Sequence, residues 1–208
     1  MPEDERTGIA NRLSEFTGLD AELIERLDLR ITPSRFREEL LKDDRQILGR
    51  FDGRIIGRDA TLNDTSPDYD PSYSTVYGAF SAAQNHYLRS DLEFESDLVY
   101  EILSSKVRPW DYSKVFVGEP VDVSYKLARA LTENKHLKVL VNCGYHDLAT
   151  PYFGIQHSID QLPVAPELIE NNISYSFYDG GHMMYTIKTS NEAWNADVAE
   201  FILDSIPE

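Results

Sequence analysis

The stretch Leu137-Lys138-Val139-Leu140-Val141-Asn142-Cys143-Gly144-Tyr145-His146-Asp147 constrains the fold more than any other part of the chain. Its aliphatic, β-branched run reads as a buried strand, Gly144 as the turn that ends it, and Asp147 as an acid carried just past the strand's carboxyl end. A second run, Ile173-Ser174-Tyr175-Ser176-Phe177-Tyr178, alternates apolar and hydroxyl-bearing residues as a strand does and closes on Asp179-Gly180-Gly181 before His182. Between the two, Thr150 is placed to cap a helix and Pro151 to take its first position. After the second, Trp194, Val198, Phe201 and Ile202 recur at helical spacing. The order is therefore strand, acid, helix, strand, histidine, helix. In open α/β sheets reacting groups gather outside the carboxyl ends of the strands, which is where Asp147 and His182 both fall.

An acid and a histidine in that order suit one chemistry in particular. A serine hydroxyl attacks poorly until a base removes its proton, and a neutral imidazole does this near pH 7. A carboxylate on the other ring nitrogen fixes the tautomer and stabilises the imidazolium that develops. The hydrolase order is serine, acid, histidine, so the pair corresponds to the last two members of such a triad. Taken singly, each residue has a plainer role: an Asp after a strand forms turns or caps helices, and Gly180-Gly181 marks a turn. A zinc site built from His146, Asp147 and His182 is the other chemistry these residue types allow, although no His-x-x-x-His or paired-cysteine spacing accompanies them.

At Asn142-Cys143-Gly144-Tyr145-His146-Asp147-Leu148-Ala149-Thr150-Pro151 and Gly180-Gly181-His182-Met183-Met184-Tyr185 the chain resembles the serine carboxypeptidases, a family of α/β-hydrolases, and its bacterial members in particular. A looser likeness runs through Asp70-Pro71-Ser72-Tyr73 and Tyr77-Gly78 and reaches the N-terminal helices. The resemblance implies that Asp147 orients His182, that Met183 helps line the pocket for the substrate's terminal residue, and that the substrate is a peptide C-terminus. It implies a partial α/β-hydrolase core, residues 111–208, preceded by a mostly helical cap insertion, residues 1–110. Plant and fungal members place a cysteine three residues after the acid, where this chain has Thr150, and carry several disulfides. Cys143 is the only cysteine here, so no internal disulfide forms and the compartment stays open.

The serine itself is missing. A nucleophile elbow needs Gly-x-Ser-x-Gly, because the serine sits on a strained turn that crowds its neighbours. Two Gly-x-x-x-Gly frames occur, Gly49–Gly53 and Gly53–Gly57, and their centres are Phe51 and Ile55. Ser81, flanked by Gly78 and Ala82, lies inside a helical apolar pattern. Losing the nucleophile from a triad costs roughly six orders of magnitude in turnover. The expectation is thus the C-terminal half of a serine carboxypeptidase, inert alone, with the serine and oxyanion donors on other sequence. The alternative is a non-catalytic module that keeps the scaffold and binds a partner.

Charge narrows the partners. Twenty basic against 36 acidic residues leave −16, and residues 151–208 hold nine Asp or Glu against Lys188 alone, 1 − 9 = −8. Such a field repels phosphate backbones and anionic membranes, so neither nucleic acid nor a membrane is expected as a partner. No apolar run is long enough to span a bilayer, Met1-Pro2-Glu3-Asp4-Glu5-Arg6 reverses the basic start of a secretory signal, and no motif calls for a cofactor or metal.

The first half reads as helical and irregular. Ile9, Leu13 and Phe16 form one apolar stripe, Leu23, Ile24 and Leu27 a second after a cap at Asp20, and Thr32-Pro33 opens a third helix with Phe36, Leu40 and Leu41 inward. Asp52-Gly53 predicts a hairpin turn, and residues 63–71 a loop. Tyr73, Val76, Tyr77, Phe80, Ala83 and Tyr87 predict a helix with a packed aromatic face, and Leu127 with Leu131 a helix before the acid-bearing strand. Two core strands are too few for a self-sufficient sheet. The chain is accordingly expected to need a partner, either the missing half or a second copy of itself.

Overall fold

A computed structural model describes residues 1–61, 66–112 and 121–206. It is a mixed α/β structure, about half helical, with small sheets. The chain divides into two compact units, one made of Met1–Thr75, Leu140–Ile155 and Tyr175–Glu208, the other of Val76–Val139 and Gln156–Ser174. Residue 110 lies inside the second unit.

In the first unit α1 (Glu3–Thr17), α2 (Ala21–Arg26) and α3 (Pro33–Glu39) surround a core of Ala10, Leu19 and Ile24, against which Leu13, Leu29, Ile31, Phe36 and Leu40 pack. The caps fall where the sequence places them: Asp20 accepts the N–H groups of Glu22 and Leu23, and Thr32 that of Arg35. The first stripe is corrected. Ala10 takes the central place in this core and Phe16, about 120° round the helix from it, is 79 % exposed. The hairpin forms as expected, with β1 (Gln46–Leu48) antiparallel to β2 (Ile56–Arg58) and Ile47 opposite Gly57.

The acid-bearing and histidine-bearing strands are β3 (Val139–Gly144) and β4 (Ile173–Tyr178), and among the described residues they pair in a two-stranded sheet. Their carboxyl ends lie side by side: the Tyr145 N–H donates to the Tyr178 carbonyl and the His146 N–H to that of Gly180. Only Cys143 and Gly144 of β3 are buried, whereas the sequence reads as a wholly buried strand. A run of β-branched residues reports what a strand is suited to, and a sheet of two strands cannot bury it on every side. One face carries a row of stacked rings, Tyr175 on Phe177 (6.1 Å) and Phe177 on Tyr145 (5.6 Å), with Tyr152 edge-on to the latter two. The buried Tyr178 hydroxyl lies 2.8 Å from Asp197 Oδ2 and 3.0 Å from Asn142 Oδ1, tying both strands to α8 (Lys188–Asp204). Burial, with the Asp197 carboxylate beside it, pushes that phenol up to about 12. Trp194, Val198 and Phe201 of α8 are half-buried while Ile202 is exposed, which trims the expected stripe.

The helix after the acid, α6 (Tyr152–Asp160), starts one residue later than expected. The Pro151 carbonyl accepts the first helical N–H groups, from Gly154 and Ile155, and the Thr150 hydroxyl is used elsewhere. In the second unit α5 (Ser124–Glu133) packs on α7 (Pro166–Asn172), a helix the sequence reading lacks. The buried Asn172 amide donates to the carbonyls of Lys135 and Leu137 and closes α7 onto the chain before β3. The aromatic helix forms as α4 (Pro71–His86), continued by a π-helical turn to Asp91, but Tyr77, Phe80 and Tyr87 are exposed rather than packed. Periodicity established the helix; it did not establish a neighbour. Of the expected 63–71 loop, residues 63–65 lie outside the described residues, and 66–70 are irregular.

Candidate functional site

The loops that leave β3 and β4 bring Asp147 and His182 together. His182 Nδ1 stands 2.9 Å from Asp147 Oδ2, with the carboxylate 7 % exposed and the imidazole 42 % exposed. Burying a carboxylate is costly unless its lone pairs are taken, and here four donors take them. The N–H groups of Ala149 (2.7 Å) and Thr150 (2.9 Å) donate to Oδ1, while the Thr150 hydroxyl (2.6 Å) and His182 share Oδ2. The acid therefore forms the turn that carries it and, with its remaining oxygen, holds Nδ1 of the ring. A proton on Nδ1 leaves Nε2 as the acceptor, and among the described residues no side chain occupies Nε2.

Thr150, three residues after the acid, lies within hydrogen-bond distance of both Asp147 and His182. Its hydroxyl sits 3.2 Å from Nδ1 and is itself donated to Asp147, so it is a brace for the acid and not a nucleophile. Ser81 is also committed: its hydroxyl donates to the Tyr77 carbonyl inside α4. Met183 is half-buried directly after His182, and its carbonyl accepts the N–H and the hydroxyl of Thr186, which folds the chain into a short turn towards α8.

The metal alternative does not assemble. His146 turns to Asp179, with Nε2 3.3 Å from Oδ1, rather than joining Asp147 and His182. Among the described residues no group of three or more His, Cys, Asp or Glu is placed to hold a metal ion. Asp179 also pairs with Arg54 at 2.7 Å, and Arg54 grips both oxygens of Asp52. That grip holds the Asp52 carboxyl below the usual carboxylate range, against the opposing effect of its burial. Cys143 is buried, and burial pushes its thiol up, as befits a small packing residue.

A contribution that sequence reasoning missed comes from the hairpin turn. Phe51 stacks on the His182 ring with centroids 5.2 Å apart and planes 17° from parallel, and its carbonyl accepts the His182 N–H. The turn also bonds the acid loop: the Gly53 N–H donates to the His146 carbonyl and the Leu148 N–H to that of Arg50. Glycine is required where these loops meet. A Cβ on Gly181 would stand 1.9 Å from the Phe51 carbonyl oxygen, and one on Gly144 would stand 2.2 Å from that of Gly181. The signal was present in Gly49-Arg50-Phe51-Asp52-Gly53, a frame whose glycines serve close approach rather than an elbow.

No protein-family model, curated protein or solved structure matches the chain.

Proposed function

We propose that this chain is the base-bearing C-terminal portion of a serine-type carboxypeptidase, contributing Asp147 as orienter and His182 as general base to a serine on other sequence. The observation that carries this reading is the 2.9 Å contact between His182 Nδ1 and a buried Asp147 that four donors satisfy, on an imidazole 42 % exposed. In the proposed reaction Nε2 takes the serine proton as the hydroxyl attacks the peptide carbonyl. Asp147 stabilises the imidazolium, and the ring returns its proton to the departing amino acid. Water then releases the acyl-enzyme by the same base. Met183, adjacent to the base, is assigned to the pocket for the terminal residue, residues 111–208 to a partial hydrolase core and residues 1–110 to a cap.

A second reading, a non-catalytic binding module, is favoured by one specific observation. Among the described residues no hydroxyl reaches Nε2, and Thr150 and Ser81 have theirs committed elsewhere. Genomic sequence upstream separates the two: an in-frame Gly-x-Ser-x-Gly elbow favours the peptidase. The 208-residue chain should take no label from a fluorophosphonate, whereas the polypeptide that includes the elbow should take it stoichiometrically. In that longer polypeptide, His182→Ala should lower release of C-terminal residues from a blocked dipeptide by three or more orders of magnitude. An elbow-bearing protein whose peptidase activity survives His182→Ala would remove the proposal.

A further inference from the structure

We infer that Phe51, presented by the turn of the β1–β2 hairpin, is the positioning residue that holds the plane of the His182 imidazole; this rests on the reading of His182 as a general base. One hydrogen bond from Nδ1 to Asp147 fixes that nitrogen but leaves the ring free to swing about the bond axis. The stacked Phe51 ring, 5.2 Å away and 17° from parallel, removes that freedom from one face. The Phe51 carbonyl takes the His182 N–H as well, so backbone and ring of one residue hold backbone and ring of the other. Reach of Nε2 towards a hydroxyl depends on the ring plane, and small misplacements of a base are costly in rate.

Phe51 is itself held by a chain of buried groups. Its N–H donates to Ser72 Oγ at 2.9 Å, and the hydroxyl of Ser72, 2 % exposed, donates in turn to Asp70 Oδ1. The same oxygen accepts the N–H groups of Arg50 (2.9 Å) and Ser72 (3.0 Å). The buried Arg37 guanidinium lies 3.8 Å from it and donates from Nε to the Leu48 carbonyl, which fixes the end of β1. Tyr73 meets Phe51 edge-on at 6.2 Å. A residue filling only a hydrophobic gap would not need its amide, carbonyl and ring each engaged. The missing Cβ of Gly181 shows that the histidine loop is shaped to receive this turn.

The test is nuclear magnetic resonance of the 208-residue chain with labelled histidine. In the parent chain the Phe51 ring should displace the His182 carbon-bound ring protons upfield, with a high side-chain order parameter and one tautomer, protonated at Nδ1. Phe51→Leu keeps an apolar side chain and the carbonyl; it should abolish the upfield displacement, lower the order parameter and admit the Nε2–H tautomer. Phe51→Tyr should restore all three. Ser72→Ala, which touches neither ring, should lower the order parameter in the same direction, and it serves if Phe51→Leu does not fold. An unchanged His182 order parameter and tautomer in a folded Phe51→Leu or Ser72→Ala chain would overturn the inference. These signals report ring placement whether or not the chain takes part in hydrolysis. Failure of the peptidase reading is seen separately, in the His182→Ala activity of the elbow-bearing polypeptide.

Discussion

Two buried carboxylates in this chain meet opposite fates, and the difference lies in their donors. Asp147 receives two backbone N–H groups, a hydroxyl and an imidazole, all supplied within reach of a tight turn and the loop beside it. Glu38, in α3, is 1 % exposed, and among the described residues neither of its oxygens has a hydrogen-bond partner. Burial raises its pKa above the ordinary glutamate value, and the nearby Asp59 carboxylate adds to the rise. The folded state thus holds the Glu38 proton more tightly than the unfolded chain does. Stability should fall as pH rises from the unfolded glutamate pKa through the raised folded one. Glu38→Gln, which has no carboxylate to ionise, should remove that fall and leave the chain more stable than the parent at neutral pH. Urea unfolding of both proteins across pH 4–8 checks this, and parallel stability profiles would refute it. The apolar spacing of α3 points Phe36 and Leu40 inward, but it gives no sign that the charged Arg37 and Glu38 between them are buried as well.

At the scale of elements, helices were legible from caps and strands from composition. Asp20, Thr32 and the Asp52-Gly53 turn act through bonds to residues two or three positions away, so sequence alone carries them. Packing was less legible. The aromatic spacing of α4 correctly marks a helix, yet Tyr77, Phe80 and Tyr87 stay exposed; a stripe specifies a face and leaves its cover unspecified. The contact between the hairpin turn and the histidine loop was illegible because Phe51 and His182 are far apart in the chain and joined by main-chain atoms. Gly181 exposes that contact to experiment. Gly181→Ala puts a methyl group against the Phe51 carbonyl and Asp52, so the two loops must part, at about 1–3 kcal/mol of overpacking plus the lost His182 N–H bond. A denaturation midpoint equal to that of the parent chain would show that the loops yield more cheaply than their geometry indicates.

For the whole molecule, the exposed apolar surface decides what to expect in solution. In the first unit Phe16 and Phe153 are exposed, and β3 is half-buried along most of its length. In the second, Leu98, Val99, Leu103 and Trp110 are all more than three-fifths exposed. Exposed apolar side chains of this size favour association wherever they adjoin. The −16 net charge opposes association at long range, and salt screens that opposition. Sedimentation velocity should therefore show self-association that grows with concentration and ionic strength, or a stable complex with the elbow-bearing segment. A single monomeric species at every concentration and salt level would defeat the expectation that the chain needs a partner.

Local chemistry alone determined the two strands after residue 137, the caps at Asp20 and Thr32 and the hairpin, because each depends on neighbours in the chain. The resemblance carried by Asp147 and Gly-His-Met needed no coordinates either. Tertiary structure decided the rest. It showed that the Asp147 and His182 side chains meet at 2.9 Å, that Thr150 bonds Asp147 instead of capping a helix, and that His146 turns to Asp179. It also placed the Phe51 ring under the imidazole. These are contacts between segments with no sequence neighbourhood in common. They are specified by close backbone approach, for which glycine is the one visible trace.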